Sequence, residues 1–266
     1  MNPPPPQPLA VPVLDSHTHL DIVGTDPGEQ IEAARAVGVD RLVQVGVDID
    51  SSAWSVELAS EHRSVVATVA VHPNEAPRLS TLDEALRTIE SLAGHERVRG
   101  IGETGLDTYR TGDGGRAAQE TSFRAHIAIA KRYGKPLVVH DRDAHDGILR
   151  VLDEEGAPDT VVLHCFSGDG EFAAECVQRG YLLSFAGTVT FKNAEALRDA
   201  ARIAPPEQIL VETDAPYLTP MPYRGRTNGS YLIPLTVRSL AETKGMDVDE
   251  LCAAISATGE RVFGPW

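Results

Sequence analysis

Short apolar runs recur along the chain at residues 10–14, 42–46, 65–71, 98–101, 136–139, 160–163, 181–185 and 208–211. Between them lie longer stretches with apolar residues at helical spacing, at 27–37, 52–62, 82–92, 119–133, 144–155, 170–179 and 194–203. The short runs have strand length, and strands alternating with amphipathic helices are the pattern of parallel β/α units. Eight such strands, with more helix after the last, predict a (β/α)8 TIM barrel, a fold that takes roughly 250 residues. A doubly wound sheet would share the alternation, but no glycine-rich phosphate loop follows the first strand. Connections are short throughout, so residues 9–266 predict a single barrel domain. Residues 1–8, MNPPPPQP, predict an extended, poorly ordered tail.

Composition narrows the function classes. Lys plus Arg number 24 against 39 Asp plus Glu, a net charge of −15, which argues against a broad basic surface for nucleic acid or anionic lipid. Nucleic-acid chemistry at a small site stays open. No apolar run approaches the ~20 residues that span a bilayer, and no basic patch followed by an apolar segment opens the chain, so neither membrane insertion nor export is expected. Three cysteines without a CxxC pair fit a reducing cytoplasm better than a disulfide framework or a structural zinc cluster. No obligate protein partner is evident, and one barrel buries enough core for a monomer.

Histidine and carboxylate then change the picture. Asp15, His17 and His19 close the first run in VLDSHTHL, and period-two geometry predicts all three on one face with Ser16 and Thr18 turned away. His72 follows the third run, Glu103 the fourth, His140 the fifth, His164 the sixth, and Glu212 with Asp214 the eighth. A single histidine at a strand end is usually a hydrogen-bonded structural residue. Its recurrence on strand after strand is different, because strand ends converge at the mouth of a barrel, and clustered imidazoles and carboxylates are costly to bury unless paired or bound to metal. His17, His19, Glu103, His140, His164 and Asp214 form a mixed N/O set suited to zinc, manganese or another divalent ion, and six ligands suit two ions better than one. A carboxylate is the natural bridge between two ions. Asp214 can both hold an ion and accept a proton from an activated water, so no covalent nucleophile is required. Ser167, in HCFSG, lacks the strained elbow of a serine nucleophile.

The strings DSHTHLD, VHPNEAP, GIGETGLDTYR, QETSFRAHIAIAKRYGKPLVVHDRDA, LHCFSG, ILVETDAPYLTP and RGRTN, in this order and spacing, resemble the TatD family of metal-dependent hydrolases, within the amidohydrolase-like barrels. The resemblance runs from about Leu14 to Phe263. It implies a distorted TIM barrel holding two divalent ions (Mg, Mn or Zn). His17 and His19 match first-strand ligands, Glu103 a bridging glutamate, and His140, His164 and Asp214 the remaining ligands. Asp214 is implied to orient or deprotonate the attacking water, and His72 to lie near a substrate phosphate. The implied activity is that of magnesium-activated deoxyribonucleases, often trimming single-stranded DNA from its 3′ end. Gly229 and Ser230 stand where Glu-Pro is usual, Gly259 where Asn is, Thr104 where Ile is, and Asp141 where a small Ser or Cys is frequent. None of these departures removes a ligand.

Around this set, Arg142, Arg224, Arg226, Tyr223 and Asn228 are candidates for contacting a nucleotide, although a salt bridge from Arg142 to Asp141 or Asp143 is an equal reading. Tyr109, Phe166 and Tyr217 could stack on a base or simply fill space. Glu212 and Asp15 are expected to hydrogen-bond ligand imidazoles. His62, His95, His126 and His145 read as ordinary. Amide, lactone or small phosphoester hydrolysis by the same site is the rival within enzymes. A non-catalytic scaffold would predict erosion of the six ligand positions, and none is eroded.

Overall fold

The protein is described from a computed structural model covering residues 2–266; Met1, the first residue of the expected tail, lies outside the described residues. In chain order the elements are β1 (Val13–Thr18), α1 (Pro27–Arg35), β2 (Val39–Val45), α2 (Ile49–Glu61), β3 (Val65–Val69), α3 (Leu82–Ala93) and β4 (Val98–Asp107). They continue with α4 (Arg116–Tyr133), β5 (Leu137–Arg142), α5 (His145–Glu155), β6 (Val161–Leu163), α6 (Gly170–Gln178) and β7 (Leu182–Phe185). The last are α7 (Glu195–Ile203), β8 (Ile209–Val211), α8 (Ile233–Lys244) and α9 (Val248–Phe263). The eight strands follow one another in chain order in a single sheet, β1 through β8, which is the (β/α)8 topology the alternation predicts.

Two compact units divide the chain: Met1–Gln44 with Gly168–Trp266, and Val45–Ser167. In the first, β1 pairs in parallel with β2, β7 pairs with β8, and a parallel bridge from Thr18 to Ala215 joins the end of β1 to the segment after β8. In the second, β3, β4, β5 and β6 pair in parallel, with Ile101 opposite Leu137 and Val139 opposite Leu163. Helix ends are fixed locally. Asp48 and Ser51 form a capping box on α2, Asp169 and Asp247 accept from the first turns of α6 and α9, and Gly134 ends α4 in a left-handed conformation.

Every residue of β1 is buried, and the Ser16 hydroxyl meets that of Ser184 at 2.9 Å. Two expectations change in detail. Strand β4 runs six residues beyond the apolar run that announced it, so Glu103 is a mid-strand residue. Its polar and glycine-rich string GETGLD hid the strand because its pairing rests on backbone, and Gly105, at φ 139°, packs against the backbone of His140. The proline segment, expected to be extended and poorly ordered, is tied to the rest of the chain by hydrogen bonds. The Tyr231 hydroxyl donates to the Pro3 carbonyl at 3.0 Å, and the Arg238 guanidinium donates to those of Gln7 at 2.8 Å and Pro8 at 3.1 Å.

Candidate functional site

In the unit formed by the two ends of the chain, β1 and the segment after β8 bring His17, His19 and Asp214 together. The Nε2 atoms of His17 and His19 are 3.3 Å apart, and Asp214 Oδ1 lies 3.8 Å from the first and 3.5 Å from the second. The backbone sets this spacing: Asp214 N donates to His17 O at 2.9 Å, and His19 N donates to Ala215 O at 3.0 Å. Asp214 takes a left-handed backbone, φ 53°, which swings its side chain off the line of β8.

Strands β4, β5 and β6 and the residues after β3 supply the second group. Glu103 Oε1 faces three imidazoles: His140 Nδ1 at 2.5 Å, His164 Nε2 at 2.9 Å and His72 Nε2 at 3.3 Å. Burial alone would raise the Glu103 pKa, but His164, His72 and His140 together hold it well below the usual carboxylate range. His140 is pushed the other way: burial would lower it, and Glu103 and Asp107 outweigh that and raise it to about 8. In each of two triads, His17–His19–Asp214 and His72–Glu103–His140, the donor atoms lie within 4.8 Å of one another. Imidazole nitrogen and carboxylate oxygen at such spacing fit a divalent ion of moderate softness, so the residues present suit two ions.

Asp107 is the functional residue that the sequence reading passed over. Its Oδ2 lies 3.3 Å from His140 Nε2 and accepts from Asn74 Nδ2 at 2.8 Å, while Oδ1 accepts from Arg110 N at 2.7 Å. Burial would raise its pKa, but these partners, His140 foremost, hold it low. His140 thus shows one ring nitrogen to Glu103 and the other to Asp107, and a carboxylate on the far nitrogen fixes the ring and tautomer of a ligating histidine. The signal was present: Asp107 ends the string that carries Glu103, two alternations further on. Asp107→Asn keeps the shape but turns one acceptor into an amide donor that faces another donor whichever way the amide is turned. Divalent-ion affinity is expected to fall about 10- to 100-fold, read by calorimetric titration of metal into the variant. Unchanged affinity would remove Asp107 from the site.

His126, read as ordinary, is fully buried in α4. Its Nε2 accepts from Val71 N at 3.1 Å, immediately before His72, and its Nδ1 donates to Ser122 O at 2.7 Å. Burial, partly opposed by the Ser122 carbonyl, lowers its pKa to about 4, so the ring stays neutral and fixes the peptide that carries His72. Its place on the stripe Phe123, Ile127 and Ala130 could have revealed this.

Other candidates are placed as follows. Arg142 stacks over the exposed Tyr109 ring at 4.6 Å, and Arg224 over Phe191 at 4.4 Å. Neither pairs with a carboxylate among the described residues; Asp141 instead takes His145 Nδ1 at 2.6 Å. Asn228 is corrected from substrate contact to loop brace. It is 2 % exposed, its amide donates to Thr213 O and Tyr217 O at 2.9 and 2.6 Å, and its carbonyl accepts from Gly229 N. Asp15 accepts from Thr213 N, Thr213 Oγ1 and His17 N, so it holds the backbone of both ligand segments rather than an imidazole. Burial outweighs those hydrogen bonds and raises its carboxyl to about 7. Glu212 is fully buried one step before Thr213.

Strand-end histidines and carboxylates on a (β/α)8 topology define a metal-dependent hydrolase. Residues 14–264 match the family model described as "TatD related DNase". The chain is 45 % identical over 260 residues to an "Uncharacterized metal-dependent hydrolase TatD" of Mycobacterium tuberculosis, covering 95 % of this chain and 98 % of that one. It is 36 % identical over 254 residues to the "Uncharacterized metal-dependent hydrolase YabD" of Bacillus subtilis, covering 94 % and 98 %. Among solved structures, YJJV, a TatD homologue from Escherichia coli, superposes with a TM-score of 0.88 at 27 % identity, covering 95 % of this chain and 98 % of that one. The chain belongs to the TatD family of metal-dependent hydrolases. Among the described residues, no helix is long and apolar enough to cross a membrane.

Proposed function

We propose that this hydrolase cleaves phosphodiester bonds at the 3′ ends of single-stranded DNA, with two divalent ions (Mg, Mn or Zn) held by His17, His19, Glu103, His140, His164 and Asp214. The observation that carries the reading is the pair of triads with donor atoms inside 4.8 Å, in a chain matched by a DNase family model. When bound, such ions lower the pKa of a water and polarise a phosphoryl oxygen.

The chain's own groups supply the rest. Asp214, at the edge of its triad, accepts a proton of the attacking water and returns it to O3′ of the shortened strand as the P–O3′ bond breaks, releasing a 5′-mononucleotide. His72 accepts from Asn74 N at Nδ1, 3.0 Å, so Nε2 carries its proton and can donate to a phosphate oxygen. Arg142 and Arg224 have guanidinium charge uncommitted to any carboxylate among the described residues, and each is held in place by an aromatic ring. That arrangement suits phosphate oxygens flanked by bases. Glu103 occupies the place that the family resemblance gives to a bridging ligand. A net charge of −15 fits a grip on a strand end better than wrapping of a duplex, a reducing cytoplasm fits the cysteine usage, and one barrel buries enough core for a monomer.

The test is release of mononucleotides from 3′-labelled single-stranded DNA by protein reconstituted separately with Mg, Mn and Zn. Release with at least one metal, progressing from the 3′ end, is expected. A protein inert on DNA that hydrolyses a lactone, cyclic amide or small phosphoester with the same metals would be an amidohydrolase or phosphoesterase instead.

A further inference from the structure

At the opposite ends of the same strands from the histidines, the Val45–Ser167 unit gathers a group of cations. Arg63 precedes β3, Arg97 precedes β4, Arg99 is its second residue, and Lys135 lies two residues before β5. The register sets Ala67 beside Val98 and Ile101 beside Leu137, which brings these three strand starts side by side. Two of the four cations have structural work. Arg97 donates to the carbonyls of Ala59 at 2.9 Å, Arg63 at 3.0 Å and Val65 at 2.5 Å, and Lys135 donates to those of Ala93 and, at 3.1 Å, His95. They thereby cap the last turns of α2 and α3. Carbonyls orient these charges without neutralising them.

Arg99 has no such employment. Its Nε is buried and has no hydrogen-bond partner, and the acidic group that acts on Arg97 is its chain neighbour Glu96. The charges act on one another. Burial and then Arg99 lower the Arg97 pKa, Glu96 opposes them and Arg63 adds a lesser push downward, while burial with Arg99 pushes Lys135 down to about 8. An unpartnered guanidinium nitrogen among like charges is unfavourable in any protein and unexpected in one of net charge −15. A compact oxyanion at the outer nitrogens of the half-buried Arg99 would offset the repulsion among these charges.

We propose that Arg99, with Arg97 and Lys135 beside it, forms a binding site for a compact oxyanion of the phosphate class, separate from the histidine–carboxylate groups. Arginine's planar fork matches two oxygens of such an anion, and the neighbouring charges add attraction without needing contact. The site is independent of which bond the enzyme hydrolyses.

Metal-loaded protein is titrated with inorganic phosphate at constant ionic strength, following arginine Nε–Hε cross-peaks by NMR and thermal unfolding in parallel. The Arg99 cross-peak, assigned by its loss in Arg99→Gln, is expected to shift saturably with phosphate and not with chloride. Phosphate is expected to raise Tm more in the wild type than in Arg99→Gln, since any phosphate on the metals affects both alike. In phosphate-free buffer the variant is expected to be at least as stable as the wild type, because a like charge has gone. Should Arg99→Gln fold poorly, Arg99→Lys keeps the charge but loses the fork, and its phosphate affinity is expected to be about tenfold weaker. An Arg99 cross-peak that moves no more with phosphate than with chloride, or equal Tm gains in wild type and variant, overturns the proposal.

Discussion

Asp214→Asn is expected to lower hydrolysis by at least about 10^3-fold while leaving the chain folded. The carboxylate has two assigned tasks, holding an ion with His17 and His19 and taking a proton from water. An amide does the first poorly and the second not at all, and general-base catalysis alone contributes about 10^2- to 10^4-fold. The fold should tolerate the change. Asparagine accepts the left-handed conformation that Asp214 adopts at φ 53°, and the hydrogen bond to His17 O comes from the backbone. Single-turnover rates with saturating metal, set beside thermal unfolding of wild type and variant, separate catalysis from stability. A variant retaining more than a tenth of wild-type turnover would exclude Asp214 as the base.

The largest stability effect is expected at a residue with no side chain. A Cβ on Gly105 would penetrate the carbonyl oxygen of His140 and lie 3.0 Å from its carbonyl carbon, at a φ of 139° that L-residues rarely adopt. Strand β5 cannot retreat, since it is paired to β4 on one side and β6 on the other. Clash and backbone strain together are expected to cost more than about 3 kcal/mol in Gly105→Ala. Gly112→Ala is the control, because a Cβ there meets nothing within 4 Å, and it should be near neutral. Urea denaturation of both variants measures the difference. A loss below about 1 kcal/mol at Gly105 would show that the strand yields more easily than its pairing implies. Any backbone shift would also move His140 relative to Glu103, so metal affinity should fall with stability.

These two residues illustrate what a sequence discloses. Apolar runs identify the strands because burial is written in side chains, and His17, His72, His140 and His164 stand out because ionisable groups directly after such runs are costly without a purpose. The length of β4 was illegible, since its second half is held by backbone pairing and close approach at glycine. Asn228 carried the right chemistry for a substrate contact, yet its amide closes the loop on Thr213 and Tyr217, a use that depends on the path of the backbone. Asp107 and His126 act on other residues rather than on a ligand, and such roles become visible only when the partner's position is known.

The two histidine–carboxylate groups also differ in how the chain reaches them. His72, Glu103, His140 and His164 all fall inside the continuous stretch Val45–Ser167, whereas His19 and Asp214 are brought together from opposite ends of the chain. During synthesis the Glu103 group has all its residues once Ser167 has left the ribosome. The His17–His19–Asp214 group must wait until β8 has emerged and closed on β1. Loop closure over so long a separation is slow. The nascent protein therefore passes through an interval in which one triad has its full set of residues and the other holds only its two histidines.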